Sequence, residues 1–146
     1  MQVLQTRTDL QVAARAFVAG LSAKKDHATL VTLSGELGAG KTAFVQECAA
    51  ALGVSEEVTS PTFVIENRYP LTGAHGFTEL IHIDAYRLES GDSLGSLRFA
   101  EDIQNPHLLI MLEWPERVAG ALPLADVSIV LVLLEDGTRT LSSTAV

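Results

Sequence analysis

The sequence predicts an α/β fold in which helices pack against a sheet with a partly antiparallel edge. Two observations predict this class. Short apolar, β-branched runs recur between turn signals, as expected of strands. Other segments carry apolar residues three and four positions apart, as expected of amphipathic helices. The length of 146 residues fits one domain. Since the sequence contains neither repeats nor an interdomain linker, residues 1–146 are predicted to form a single domain.

The helical pattern occurs at two main places. Residues 8–23 carry an apolar stripe, and Thr8 or Asp9 is placed to cap this helix. The second helix follows a glycine-rich turn, and Gly53 stops its apolar repeat. Residues 92–103 are predicted to hold a further short helix.

Strands are predicted in the apolar runs that lie between these helices and in the carboxyl-terminal third. The predicted strands are residues 29–33, 63–69, 79–84, 107–113, 127–134 and 138–142. Residues 29–33 and 107–113 are apolar almost throughout, which indicates strands buried on both faces of a parallel sheet. Residues 71–78 contain two glycines and are predicted to form a hairpin connection.

Composition restricts the possible partners and location. Ten Lys and Arg against 18 Asp and Glu give a net charge of −8, so phosphate backbones are repelled and unaided nucleic-acid binding is disfavoured. The single cysteine excludes an internal disulfide and a thiolate metal cluster. No apolar run approaches the roughly 20 residues that cross a bilayer, and the amino terminus lacks the pattern of a signal peptide. A cytoplasmic location without membrane association is expected.

Residues 35–42, Gly-Glu-Leu-Gly-Ala-Gly-Lys-Thr, match the pattern G-x-x-x-x-G-K-[ST] in full. The motif lies between a predicted strand and a predicted helix, where backbone N–H groups and the helix dipole favour phosphate binding. Lys41 is expected to reach the β and γ phosphates, and Thr42 to offer its hydroxyl to Mg²⁺. The predicted occupant is a nucleoside triphosphate, and the lack of a guanine-reading N-K-x-D stretch favours ATP.

Two acidic residues end predicted strands. Asp84 closes residues 79–84 and Glu113 closes residues 107–113. Because ligands of such sheets lie beyond the carboxyl ends of the strands, both carboxylates are expected to converge on the glycine loop. There they can hold Mg²⁺ or orient the attacking water.

Two neighbouring residues allow more than one interpretation. His82 shares a face with Asp84 by strand alternation, so it either orients that carboxylate or is a structural histidine satisfied by the backbone. Trp114 follows Glu113 directly. It either covers a nucleotide, docks a partner or packs in the core.

Four segments occur in order along the chain: GELGAGKT at 35–42, SPTF at 60–63, HIDAYRL at 82–88 and LEWPE at 112–116. This set resembles the TsaE (YjeE) family of small bacterial ATPases. The resemblance implies a P-loop NTPase-like three-layer sandwich, with a central, mostly parallel sheet and antiparallel edge strands. It also implies an ATPase that acts with TsaB and TsaD in making the threonylcarbamoyl group of tRNA (t6A), and that meets tRNA only through those partners.

The resemblance also implies roles for individual positions. The phosphates are implied to lie on Gly35, Gly38, Ala39, Gly40, Lys41, Thr42 and Ala43. Thr42, Asp84 and Glu113 are implied metal ligands, and the two acids are implied to be catalytic together with Lys41. Thr62 is implied to lie on a loop that responds to the nucleotide. Trp114 and Arg139 are implied to lie beside it.

The favoured hypothesis is an ATPase whose hydrolysis resets or remodels a partner complex, slow alone and stimulated by the partners. One alternative is a small-molecule kinase on the same loop, and another is a module that binds nucleotide without turnover. A kinase usually needs an acceptor pocket and an arginine-bearing lid. Here the arginines after the loop are scattered and no lid-sized insertion exists, which favours hydrolysis.

Overall fold

The structure is a computed structural model and describes residues 1–59, 66–88, 94 and 98–145. Its strands are Gln2–Leu4 (β1), Thr29–Ser34 (β2), Glu66–Pro70 (β3), Glu79–Asp84 (β4), Leu108–Glu113 (β5), Val127–Leu133 (β6) and Arg139–Ala145 (β7). Its α-helices are Arg7–Ala19 (α1), Lys41–Ala51 (α2) and Phe99–Asp102 (α3). Short 3-10 turns lie at Ala74–Gly76, Pro115–Arg117 and Ala119–Ala121.

The strands form one sheet in the order β1-β7-β6-β2-β5-β4-β3. The four central strands β6, β2, β5 and β4 are parallel. On one side β7 pairs antiparallel with β6 and β1 pairs antiparallel with β7, and on the other side β3 pairs antiparallel with β4. The predicted mostly parallel sheet with antiparallel edges is therefore confirmed. No helix in the described part of the chain is long and apolar enough to cross a bilayer.

Apolar layers cover both faces of the central strands. On one face, Val31 and Leu33 of β2 pack with α1 and α2. On the other face, Leu30 of β2 packs with the smaller layer around Phe99 of α3. Five of the six residues of β2 are buried, which explains why it has no charged residue and consists of apolar and small hydroxyl side chains. The three-layer arrangement agrees with the prediction.

The amino-terminal helix differs from its prediction at both ends. It covers Arg7–Ala19, not residues 8–23, and its cap is Thr6, not Thr8. The Thr6 hydroxyl accepts from the Asp9 N–H at 3.1 Å, while Asp9 Oδ2 accepts from the Thr6 N–H at 3.0 Å. This is a capping box, in which Asp9 takes the third helical position and not the cap.

Three further differences concern element boundaries. The edge strand β1 was not predicted, because three residues are too few to show a periodicity. The predicted strand 63–69 corresponds to β3 over Glu66–Pro70, and residues 60–65 lie outside the described residues. Within the predicted helix 92–103, α3 covers Phe99–Asp102, and much of the rest lies outside the described residues. The hairpin joining β3 and β4 is confirmed.

Candidate nucleotide-binding site

The glycine loop joins β2 to α2 and has a backbone that only glycine tolerates at its ends. At Gly35, φ is 152° and an added Cβ would lie 2.4 Å from the carbonyl oxygen of Leu131 on β6. Gly40 is the N-cap of α2 with φ 104°, and no side chain caps this helix. The first amides of α2 are therefore available to an anion, as the motif requires.

Lys41 lies inside this loop. Its side chain is buried, and Nζ donates to the carbonyl oxygens of Gly35 at 2.6 Å and Glu36 at 2.9 Å. Burial lowers the pKa of the Lys41 ammonium, and the nearby carboxylates, Glu113 foremost, oppose that shift. The ammonium is thus held in the loop by carbonyl groups, which a phosphate can replace.

The loop threonine is bonded to one of the two predicted acids. Thr42 Oγ1 lies 3.0 and 2.9 Å from the two carboxylate oxygens of Glu113. Glu113 is buried, with 2% of its surface exposed. Its Oε2 also lies 2.5 Å from Nε2 of the buried His82. The three residues form a chain from the start of α2 to the interior of β4.

The other predicted acid is the direct neighbour of Glu113, since Asp84 and Glu113 are paired in the parallel register of β4 and β5. Asp84 is half-buried, and its Oδ1 accepts from the Tyr86 N–H at 3.0 Å. Burial raises the pKa of the Asp84 carboxyl, with the Tyr86 hydrogen bond acting against it. Both acids thus end adjacent strands at the edge where the glycine loop lies.

Trp114 covers this edge. Its backbone is left-handed, with φ 62° and ψ 52°, and its N–H donates to the carbonyl oxygen of Leu33 at 3.1 Å. The Lys41 ammonium lies 4.1 Å from the indole centroid, and the Tyr86 ring lies 4.9 Å from it. The indole is half-buried against the smaller apolar layer around Phe99. It therefore both packs on the core and closes one side of the site.

These groups line a cleft of about 360 Å³. Its lining includes Gly38 and residues 40–43 on the loop side, and Asp84, Glu113 and Trp114 on the opposite side. Gly35 and Ala39 are the two predicted loop residues that do not line the cleft. Ala39 faces away from it. Its side chain is fully buried and its N–H donates to the Glu36 carbonyl oxygen at 3.0 Å, so that amide serves the loop's own turn.

Arg139 lies on the other side of the loop. Its Nη2 donates to the Gly38 carbonyl oxygen at 3.2 Å, and its side chain passes 3.5 Å from where a Cβ at Gly40 would be. Its Nε is buried and has no hydrogen-bond partner among the described residues.

A second cavity of about 220 Å³ lies beside Arg139. It is lined by Gly40, Ala43 and Arg139 together with Leu4, Gln5, Thr6, Arg7 and Leu10. Sequence reasoning missed the amino-terminal residues of this cavity. The Thr-x-x-Asp capping box marks a helix start there, but no local signal shows that this start lies beside the glycine loop.

The predicted Thr62 lies outside the described residues. His82 was expected either to orient Asp84 or to be satisfied by the backbone, and among the described residues its hydrogen bond is instead to the Glu113 carboxylate. Strand alternation places all three on one face, but only the register of β4 against β5 decides which carboxylate the imidazole meets.

The model of one protein family, described as threonylcarbamoyl adenosine biosynthesis protein TsaE, matches residues 4–141. Several relatives bear the name tRNA threonylcarbamoyladenosine biosynthesis protein TsaE. The one from Treponema pallidum is 39% identical over 117 residues, which are 80% of this chain and 82% of that protein. The one from Bacillus subtilis is 34% identical over 118 residues, 80% of this chain and 70% of that protein.

A relative of the same name from Streptomyces coelicolor is 46% identical over 88 residues, 60% of this chain. That match spans 57% of the Streptomyces protein, a little over half its length. Among solved structures, the crystal structure of YdiB from Bacillus subtilis is similar with a TM-score of 0.75 at 26% identity. The similarity covers 99% of this chain and 83% of that one.

Proposed function

This chain belongs to the TsaE family of threonylcarbamoyl adenosine biosynthesis proteins, and from that premise we propose that it binds ATP with Mg²⁺ and hydrolyses the terminal phosphate. One observation carries the proposal. The uncapped start of α2, the Lys41 ammonium and two strand-end carboxylates all line one cleft beside the glycine loop. The combination offers donors to a triphosphate and oxygen ligands to a hard cation.

The triphosphate end of the ligand fits the loop side of the cleft. Amides at the start of α2 can donate to phosphate oxygens. The Lys41 ammonium can exchange its two bonds to loop carbonyls for bonds to the β and γ phosphates. Because it is already placed within the loop, this exchange needs only a small movement, and its positive charge can stabilise charge that develops on the departing phosphoryl group.

The cation would be held by oxygen atoms of Thr42, Asp84 and Glu113. Bound there, Mg²⁺ neutralises charge on the β and γ phosphates. The Thr42 hydroxyl donates its proton to Glu113, which leaves the lone pairs of its oxygen available to a cation. Asp84 has one oxygen bonded to the Tyr86 N–H, and its second oxygen can orient a water molecule.

The base and ribose would lie on the other side of Gly40. The cavity lined by Arg139 and the start of α1 continues from the glycine loop in that direction. The buried Nε of Arg139 offers a donor that a bound nucleotide can satisfy.

We further propose that turnover is slow in the isolated chain and stimulated by TsaB and TsaD in the cytoplasm, as part of t6A synthesis. The net charge of −8 favours docking on basic protein surfaces and disfavours a tRNA-binding face of its own. The chain would then meet tRNA only through the partner proteins.

The test is phosphate release from ATP by the purified chain, alone and with TsaB and TsaD. We expect slow release alone and faster release with the partners. Lys41→Ala serves as the inactive control. A parallel screen with nucleoside and sugar acceptors separates hydrolysis from a kinase reaction, since a kinase would form ADP without releasing phosphate. If ATP bound but neither free phosphate nor a phosphorylated acceptor formed, the chain would be a nucleotide-binding module without turnover.

A further inference from the structure

His82 is a buried polar residue that the proposed chemistry does not use directly. It lies on β4, two positions before Asp84, and its side chain has no exposed surface. Its Nε2 lies 2.5 Å from Glu113 Oε2, while its Nδ1 is buried and has no hydrogen-bond partner among the described residues. Only one of the two ring nitrogens is therefore satisfied by that part of the chain.

Packing does not explain a histidine at this position. Its neighbours on the same face of the sheet include Leu80 on β4 and Met111, its register partner on β5, and both are fully buried. An apolar side chain of similar volume would fill the space without leaving a polar atom unpaired. The bond to Glu113 is what an apolar residue could not supply.

Within the described part of the chain, the Glu113 carboxylate has two side-chain partners, which come from different elements. Thr42 reaches it from α2, and His82 reaches it from β4. Thr42 has a single hydroxyl proton, so it can donate to only one carboxylate oxygen at a time. The imidazole contacts Oε2, one of the two oxygens within reach of Thr42 Oγ1, so His82 can hold Oε2 while Thr42 donates to Oε1.

We propose that His82 is a positioning residue for Glu113. Nε2–H donates to the carboxylate and holds it against the Thr42 hydroxyl, so that Glu113 keeps one orientation at the floor of the cleft. In this arrangement Nε2 carries a proton, because a carboxylate oxygen can only accept. This inference rests on the proposed ATP hydrolysis, and it assigns His82 to Glu113 and not to Asp84.

The kinetic test compares His82→Leu, which keeps an apolar volume, with His82→Gln, which keeps an N–H donor. In the presence of TsaB and TsaD, we expect His82→Leu to lower kcat by at least about tenfold, because small misplacements of catalytic groups cost rate. The KM for ATP should stay within about threefold, since no phosphate donor is lost. His82→Gln should recover most of kcat. His107→Gln, at the exposed turn residue just before β5, is the control and should leave both constants unchanged.

The second readout needs neither nucleotide nor turnover. In ¹⁵N NMR of the histidine rings, His82 should show a proton on Nε2, and that proton should lie far downfield. Glu113→Gln should move that proton upfield, because a neutral amide is a weaker acceptor than a carboxylate. Circular dichroism and thermal unfolding show whether each variant is folded.

The outcomes separate the inference from the proposed function. The inference alone is overturned if folded His82→Leu keeps the wild-type turnover, or if the His82 ring carries no proton on Nε2. A wild-type chain that releases no phosphate even with both partners overturns the proposed function, and the positioning role with it. Loss of kcat in His82→Leu, its recovery in His82→Gln and the Nε2–H signal together support the inference.

Discussion

Replacing Gly35 with alanine should damage both the stability of the protein and its affinity for nucleotide. The added Cβ would lie 2.4 Å from the Leu131 carbonyl oxygen, whereas such contacts are essentially never under 3.0 Å. The backbone at Gly35 or strand β6 must therefore move by about 0.6 Å. The clashing atom is a backbone oxygen of the sheet, so it cannot rotate away as the end of a side chain could.

The expected cost of this substitution has two parts. Overpacking of this kind costs about 1–3 kcal/mol, and the positive φ of 152° at Gly35 adds about 1–2 kcal/mol for a residue with a Cβ. The sum is about 2–5 kcal/mol. At about 2–4 °C per kcal/mol for a chain of this size, the thermal midpoint should fall by about 4–20 °C.

The matched control is Gly53→Ala, just after α2. Gly53 also has a positive φ, of 89°, but nothing lies within 4 Å of an added Cβ. Gly53→Ala should therefore be destabilised only by the conformational cost of the positive φ, about 1–2 kcal/mol. Thermal unfolding by circular dichroism and titration with a labelled ATP analogue measure both variants. If Gly35→Ala were as stable as Gly53→Ala and bound the analogue as tightly as the wild type, the steric reasoning would be wrong.

Three further predictions concern the cleft, the pH response and the first helix. ATP hydrolysis should be slowed tenfold or more, about 1.4 kcal/mol of barrier, by each of Lys41→Ala, Asp84→Ala and Glu113→Ala. Phosphate release by the folded variants measures this. Wild-type rates in both acid variants would contradict the assignment of the two carboxylates. Hydrogen bonds to the carboxylates of Asp126 and then Asp26 raise the pKa of His27 above its ordinary 6.5, so its stabilisation is present below that pH and lost as pH rises through the folded-state pKa. Accordingly, the thermal midpoints of wild type and His27→Gln should differ more at about pH 5.5 than at about pH 8.5. A difference between the two midpoints that increased with pH would contradict this reasoning. Thr6→Ala should cost about 1 kcal/mol through loss of the helix cap, measured by urea unfolding, and an unchanged midpoint would show that the capping box contributes nothing.

The central strands could be predicted from sequence because strands that are buried on both faces consist largely of apolar residues. β5 is an unbroken apolar run that ends in an acid, and β4 is a largely apolar run that contains His82 and also ends in an acid; the structure places them at Leu108–Glu113 and Glu79–Asp84. The glycine loop could be predicted because phosphate binding needs particular residue types at fixed spacing. The buried strands and the glycine loop could therefore be predicted, because each depends on residues that are close together in the sequence.

Other features depend on contacts between distant segments and have no local signature. The pairing of Asp84 with Glu113 follows from strand register, which decides that His82 meets Glu113. β1 forms only because β7 offers an edge on which it can pair. The cavity beside Arg139 requires the start of α1 to lie next to the loop. None of these relations is contained in a periodicity or a motif.

The ammonium of Lys41 beneath the ring of Trp114 has a practical consequence. This indole is the chain's single tryptophan, and it lies 4.1 Å from a charge that must change partners when an anion arrives. Its emission spectrum is therefore a built-in optical probe of the cleft. Ligand occupancy can be followed in the native protein without attaching a dye.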